Sequence, residues 1–376
     1  MSRLLFGLVA RLYVALSAGL LAGITLVYLV ADFGDRLNLF LDKPLSAVAE
    51  LYWHKAMQTG HQLAPAAMLL AAGATASVLR KTSEWTAIQA LGGSRSTLAV
   101  PVLACALTSA AVMVAFDELV VTRSGERIDH MMLHVFGRWG DYTLHYSPKP
   151  WYRVGDAIVR VGGRDEAGRL TDVSLYEMDE RFSLAARTDA AVMEPAGGER
   201  WRLRAYTRRT FLSGGGLQKE RGDAVEVALS GSDPLSFAIR RGRPELMPTA
   251  ALLEQQSLRA RVGLPSQPFL LALHNRFAYP FTGVAAALFA LTLALRRGRK
   301  GYLTQALFEG LVVSVVLFTV TLVARGLVMG EHLPAWVAAW SPVAVLTALA
   351  ATLWRLEERP PRWLRPPGPP ADRAPA

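Results

Sequence analysis

Residues 12–31 read LYVALSAGLLAGITLVYLVA, twenty residues without a charge. At about 1.5 Å per residue, a helix of this length crosses the roughly 30 Å hydrocarbon core of a bilayer. The apolar run exceeds the ~7–15 residues of a signal-peptide core. Asp32-Phe33-Gly34-Asp35-Arg36 follows it, and no small-residue cleavage site does. The stretch therefore predicts a retained membrane helix. Residues 97–116, 277–295 and 335–354 are equally free of charge. Residues 63–79 form a shorter run that extends back into a polar-flecked helix, and 301–329 contains Glu309 and Arg325. Six spans result, consistent with a chain that is 52% hydrophobic.

The Lys/Arg bias of short loops sets the expected orientation, because long domains translocate largely regardless of charge. Arg3 and Arg11, the loop with Arg80, Lys81 and Arg95, the run Arg296-Arg297-Gly298-Arg299-Lys300, and five arginines of the tail all fall on one side. The opposite short segments offer only Arg36, Lys43 and Lys55. Both termini are expected in the cytoplasm. The net charge of +10 then divides between inner-face anchors and an Arg-rich outer domain. Nucleic-acid binding fits poorly, since no basic stripe interleaved with aromatics faces the cytoplasm.

Between the third and fourth spans, short alternating apolar–polar runs are separated by turn signals such as Gly155-Asp156, Asp179-Glu180 and Ser213-Gly214-Gly215-Gly216. Strands are predicted at 151–154, 157–161, 170–178 and 181–193, around Trp201, Leu203 and Ala205, and around Val225, Val227 and Leu229. Their number and spacing suit a sandwich, jelly roll or open barrel. The expected organisation is 1–122 for helices one to three, with a short cytoplasmic helix near 83–92. An outer β domain takes 123–247, and a linker helix near 248–262 and spans four to six take 248–358. A disordered Pro-rich cytoplasmic tail takes 359–376.

No phosphate-loop, H-E-x-x-H or C-x-x-C pattern occurs. His54 and His61 lie seven apart without an evident third ligand, so neither a metal nor a cofactor is expected. Cys105, alone in the third span, excludes a disulfide framework. The segment between spans two and three is more informative. Thr82 or Ser83 can cap a short helix, Glu84 sits in its first turn, and Gly92-Gly93 stops it. Trp85, Ile88 and Leu91 then recur at i, i+3 and i+6. Such a helix suits docking into a groove on a soluble partner; an amphipathic connector lying on the lipid surface is the alternative. In span two, His54, Lys55, Gln58, His61 and Gln62 share one side of a helix, a face that belongs against protein or water. Glu309 is the one carboxylate placed within a predicted span. Arg36, Lys43, Lys55, Arg123 and Arg127, with Arg325 near the outer end of span five, would form a basic rim. It would either pair with the phosphates of an amphiphile or simply anchor the helices at the interface.

Several segments carry a family resemblance. Leu29-Val30-Ala31-Asp32-Phe33-Gly34-Asp35-Arg36-Leu37 resembles the end of span one in the LptF/LptG-type permeases of lipopolysaccharide export. Ser83-Glu84-Trp85-Thr86-Ala87-Ile88-Gln89-Ala90-Leu91-Gly92 is similar to their coupling helix. Trp151-Tyr152-Arg153-Val154-Gly155-Asp156 and Trp201-Arg202-Leu203 are similar to their periplasmic domain. Arg276-Phe277-Ala278-Tyr279-Pro280 and the run from Leu333 to Pro342 are similar to their spans four and six. Thr122, Gly125 and Val343 depart from the family's usual residues. The resemblance covers nearly all of 1–358, and the pattern near Arg36 is nearer the LptG side.

This resemblance implies a permease subunit without an ATPase site of its own, in the bacterial inner membrane, with the β domain in the periplasm. It implies a second LptF/LptG-type permease, a dimeric cytoplasmic ABC ATPase met by Glu84, and periplasmic LptC/LptA-type bridge proteins that receive the lipopolysaccharide. A membrane receptor or scaffold whose β domain binds an envelope protein is the alternative, but only short cytoplasmic segments are available for output. An ion-coupled transporter would call for internal repeats and midplane carboxylates; no repeat is visible.

Overall fold

The computed structural model describes residues 3–137, 151–154, 157–165, 169–179, 183–211, 216–229, 243–261, 265–296 and 303–358. The expected Gly155-Asp156 turn, Glu180, Ser213 to Gly215, the basic run 297–300 and the tail from 359 lie outside these residues. The chain divides into two compact units. One comprises 1–131 with 267–376, the other 132–266.

In the first unit, α1 runs Arg3–Asp35, α2 Leu37–Phe40, α3 Leu45–Lys81, α4 Glu84–Ala90 and α5 Ser96–Phe116. A π-helical turn, Asp117–Val121, joins α5 to α6, Thr122–His134. Taking α7 as Thr249–Arg261 of the other unit, the remaining helices are α8 Gln267–Arg296, α9 Leu303–Met329 and α10 Ala335–Glu358. Six helices are long and apolar enough to cross a membrane. The third is longer than expected: it continues unbroken from Ser96 to His134. Its helical path therefore runs past 123, where the sequence placed the start of the β domain.

Packing within the bundle is unequal. In the most apolar window of α3, 78% of residues are buried, against 6% in α1 and 11% in α9. The second span is thus the hub around which the others assemble. Small residues make this possible, because backbones can approach closely where side chains are short. Ala71, Ala72 and Ala76 of α3 and Ala285, Ala286 and Ala287 of α8 share one buried cluster. A methyl group on Gly283 would stand 2.8 Å from Met68 Sδ, and one on Gly310 2.6 Å from Leu70 Cδ2. Pro65, Pro101, Pro280 and Pro342 all sit inside helices, tolerated where neighbouring spans re-satisfy the freed backbone.

The second unit holds one antiparallel sheet. Its strands are β1 Trp151–Val154, β2 Ala157–Arg160, β3 Gly163–Arg164, β4 Leu170–Met178, β5 Leu184–Gly197, β6 Arg200–Phe211 and β7 Leu217–Ala228. Their order is β1-β2-β4-β5-β6-β7, with β3 pairing β4. Among the described residues this is a single sheet of neighbouring hairpins. Val159, Leu175, Ala190, Met193, Trp201, Leu203 and Val227 form its apolar face. A crease crosses it. Asp172 and Ala205 adopt left-handed backbone, φ 51° and 50°. At the same level the buried positions change parity, from Leu170 to Val173 on β4, Ala190 to Met193 on β5 and Leu203 to Tyr206 on β6. The register brackets all three between aligned pairs, Thr171↔Val192 with Val173↔Ala190 and Val192↔Arg204 with Ala190↔Tyr206. Such bulges bend a sheet and re-aim side chains beyond them.

Candidate functional site

Two places in the helical unit gather the residues that the sequence singled out. The first lies where α1 ends and α3 begins. The last turns of α1 bring Asp32 and Phe33 beside Tyr52 and Lys55, one helical turn apart on α3. Asp32 accepts hydrogen bonds from Lys55 Nζ, from Tyr52 Oη at 2.8 Å and from Arg36 Nε at 3.1 Å. Phe33 stacks on Phe40 at 5.5 Å, and Tyr52 meets both edge-on at 5.5 and 5.7 Å. This ring cluster fixes the hairpin between the two spans and holds Tyr52 in place. Lys55 also lies 5.2 Å from the Tyr52 ring centre, within cation–π reach. Arg127 of α6 bonds Glu50 of α3 at 2.6 Å, and His54 Nδ1 lies 3.2 Å from Ser124 Oγ.

Of the six basic residues expected to form a rim, Arg36, Lys55 and Arg127 are thus tied to one end of α3. Arg123 is exposed one turn before Arg127, Lys43 is half-buried in the turn before α3, and Arg325 is exposed four residues from the end of α9. Their positive charge is partly matched from within: Arg36 and Lys55 share Asp32, and Arg127 has Glu50.

Deeper along α3, His61 Nε2 is 4.0 Å from Asp117 Oδ1. Arg276 of α8 reaches Asp117 at 2.9 Å and also binds Glu118. Sequence reading missed this cluster. It ended the third span at Phe116, so Asp117 and Glu118 were counted outside it, and Glu309 was left as the only carboxylate within a span. The continuous helix corrects this, with Asp117 only 9% exposed. Arg276 had been noticed as part of a motif, but not as a counter-ion. Glu309 itself accepts a hydrogen bond from Gln305 at 3.0 Å and lines a narrow cleft with Leu69, Gly73 and Phe289.

The second place is α4, at the opposite end of α3. The helix is shorter than expected, Glu84–Ala90, and neither proposed cap acts as one. Ser83 has φ 61° and makes no side-chain cap bond, while Thr82 Oγ1 donates back to Val78 O of α3. The stop is as expected. Gly93 N–H donates to Ile88 O and Gly92 N–H to Gln89 O, a Schellman arrangement with Gly92 at φ 80°. Trp85 and Ile88 are buried in the same cluster as α3, α5 and α8. Leu91 is 85% exposed and Glu84 half-buried. The stripe is real, but it seats the helix in its own bundle and leaves Glu84, Leu91 and the exposed Thr86, Gln89 and Ala90 for anything outside. Arg80 ties this end down by donating to the last-turn carbonyl of Leu295 in α8.

The described residues of the sheet carry a third concentration of charge, arranged as cross-strand pairs. Arg204 meets Glu194 at 2.7 Å, Arg202 meets Glu226 at 2.9 Å and Arg208 meets Glu177 at 2.6 Å. Asp189 collects donors from Arg187, Arg209 and Ser174. Burial alone would raise its carboxyl, but these bonds outweigh it and hold Asp189 below the ordinary carboxylate range.

Comparison with known protein families gives one match: the model of the lipopolysaccharide export system permease LptF/LptG fits residues 8–356. No curated protein sequence matches the chain.

Proposed function

Because this chain belongs to the LptF/LptG family of lipopolysaccharide export permeases, and is therefore an inner-membrane transport subunit and not an enzyme, we propose that it works within an ATP-driven exporter. In this reading it pairs with a second LptF/LptG-type permease, itself taking the LptG-like role. The pair extracts lipopolysaccharide from the inner membrane and passes it to periplasmic LptC/LptA-type bridge proteins. Both termini face the cytoplasm and the β domain faces the periplasm, as the Lys/Arg distribution of the short loops favours. A separate cytoplasmic ABC ATPase dimer supplies the energy.

The observation that carries this reading is the seating of α4. A helix of seven residues sits between two spans, with Trp85 and Ile88 locked into the bundle and Glu84 and Leu91 left towards the outside. A force applied to Glu84 and Leu91 passes through Trp85 and Ile88 into α3 and α5 without first bending a loop. At the other end of α3, Arg36, Lys43, Lys55, Arg123, Arg127 and Arg325 provide cations for lipid phosphates, for which arginine's fork and lysine's ammonium are both suited.

Affinity purification of the tagged chain in mild detergent tests the coupling. Glu84→Ala is expected to reduce the co-purifying ATPase severalfold while leaving the second permease bound. Undiminished ATPase recovery would remove Glu84 from the contact.

A further inference from the structure

The cations at the end of α3 are not empty-handed. Lys55 is a buried ammonium, its side chain 12% exposed, and a buried cation persists only beside an anion. That anion is Asp32, equally buried, which also holds Arg36 and receives the Tyr52 hydroxyl. One carboxylate between two cations leaves the site with a surplus positive charge. A phosphate monoester carries about −1.5 to −2 and offers three acceptor oxygens, so it matches this set of donors better than Asp32 does. Tyr52, fixed by Phe33 and Phe40, can donate to either anion.

We propose that Asp32 is an internal competitor: its carboxylate occupies the Arg36–Lys55 site in the unloaded protein, gives way to the phosphate of an incoming amphiphile, and returns to help expel it. The inference rests on reading the basic rim as a phosphate site, and it assigns Asp32 the role of setting affinity and release. Two cations with no competitor would hold a phosphate tightly, which a transporter that must let its cargo go cannot use. Asp32 provides an anion on the protein itself, tethered on the last turns of α1, that is ready to take the phosphate's place. The contrary role is a plain strut joining α1 to α3, in which case Asp32 supports binding.

The full-length protein in nanodiscs, with whatever subunits accompany it, would be titrated with fluorescently labelled bis-phosphorylated lipid A and with the same probe after phosphatase treatment. Asp32→Asn is expected to tighten the phosphorylated probe by about threefold to tenfold, the gain from removing one competing charge-assisted bond. Its dissociation should slow, and affinity for the dephosphorylated probe should not change. Tyr52→Phe, which removes one donor from Asp32 and keeps the ring cluster, should shift the phosphorylated probe in the same direction by less. If wild type prefers the phosphorylated probe but both variants bind it equally or more weakly, Asp32 is a strut and the proposal is overturned. If wild type does not distinguish the two probes, the phosphate reading of the rim fails first and the proposal falls with it.

Discussion

Arg276 in the helix bundle is 6% exposed and bonded to two carboxylates, Asp117 and Glu118, on a neighbouring span. Arg202, Arg204, Arg208 and Arg209 in the sheet each meet one carboxylate across a strand, with between 34% and 52% of the side chain still in solvent. The contacts look alike, but the surroundings do not. Water screens the sheet pairs and replaces a lost partner at little cost, so such pairs contribute about 0–1 kcal/mol. No water is at hand to do this around Arg276, so removing one partner strands the others. Number of ion pairs is therefore a poor guide to their weight. The sheet has more of them, while the bundle depends on them more.

Arg276→Ala is the sharpest way to break this contrast. It should destabilise the helical unit by about 3–5 kcal/mol, read as a fall in the unfolding midpoint in detergent, because Asp117 and Glu118 would then face each other unpaired. Arg276→Lys should restore only part of this, since one ammonium cannot serve two carboxylates as the guanidinium fork does. A loss below about 1 kcal/mol would place Arg276 in the same class as the sheet arginines.

Next in size is the acid response of Asp189. A carboxyl held low in the folded state takes up its proton more readily when unfolded. Its contribution is present above the ordinary aspartate range of about pH 4 and is lost as pH falls through the lowered folded value. Denaturation of the full-length protein, followed by tryptophan fluorescence from pH 7 to pH 3, should show Trp201 losing its buried signal more steeply in wild type than in Asp189→Asn. Parallel curves would mean that other groups govern the sheet's acid sensitivity. Smallest of all is Arg204→Ala, expected to cost less than about 1 kcal/mol and to cost less still at high salt. A larger loss would show that the sheet pairs act as a network.

The sequence was legible wherever one period or one absence of charge decided the matter. Six apolar runs became six helices, and β4 falls where alternation placed it, Leu170–Met178. The Gly92-Gly93 stop of α4 was readable because only glycine fits that backbone. What could not be read depended on neighbours distant in the chain. The stripe of Trp85, Ile88 and Leu91 was visible, but not that Trp85 and Ile88 face inward, because a helical period does not say which side the bundle occupies. The first half of β7 escaped notice because residues 217–221 are exposed on both faces and leave no alternation. Asp117 and Glu118 looked like the end of a span because their counter-ion lies 158 residues away from Glu118, on α8. A charge inside a membrane helix can be recognised only together with its partner.

The π-helical turn at Asp117–Val121 has a consequence for how the third span tolerates insertions and deletions. Such a turn accommodates one residue beyond the α-helical repeat. Deleting one residue there would restore regular hydrogen bonding, and on that ground alone would look harmless. Yet one residue is about 100° of rotation, so everything downstream would change its bearing by more than a quarter of a circle. Ser124 would turn away from His54 and Arg127 from Glu50, although none of the four had been altered. The extra residue works as a phase adjuster between two stretches of one helix, so its length there is constrained independently of composition.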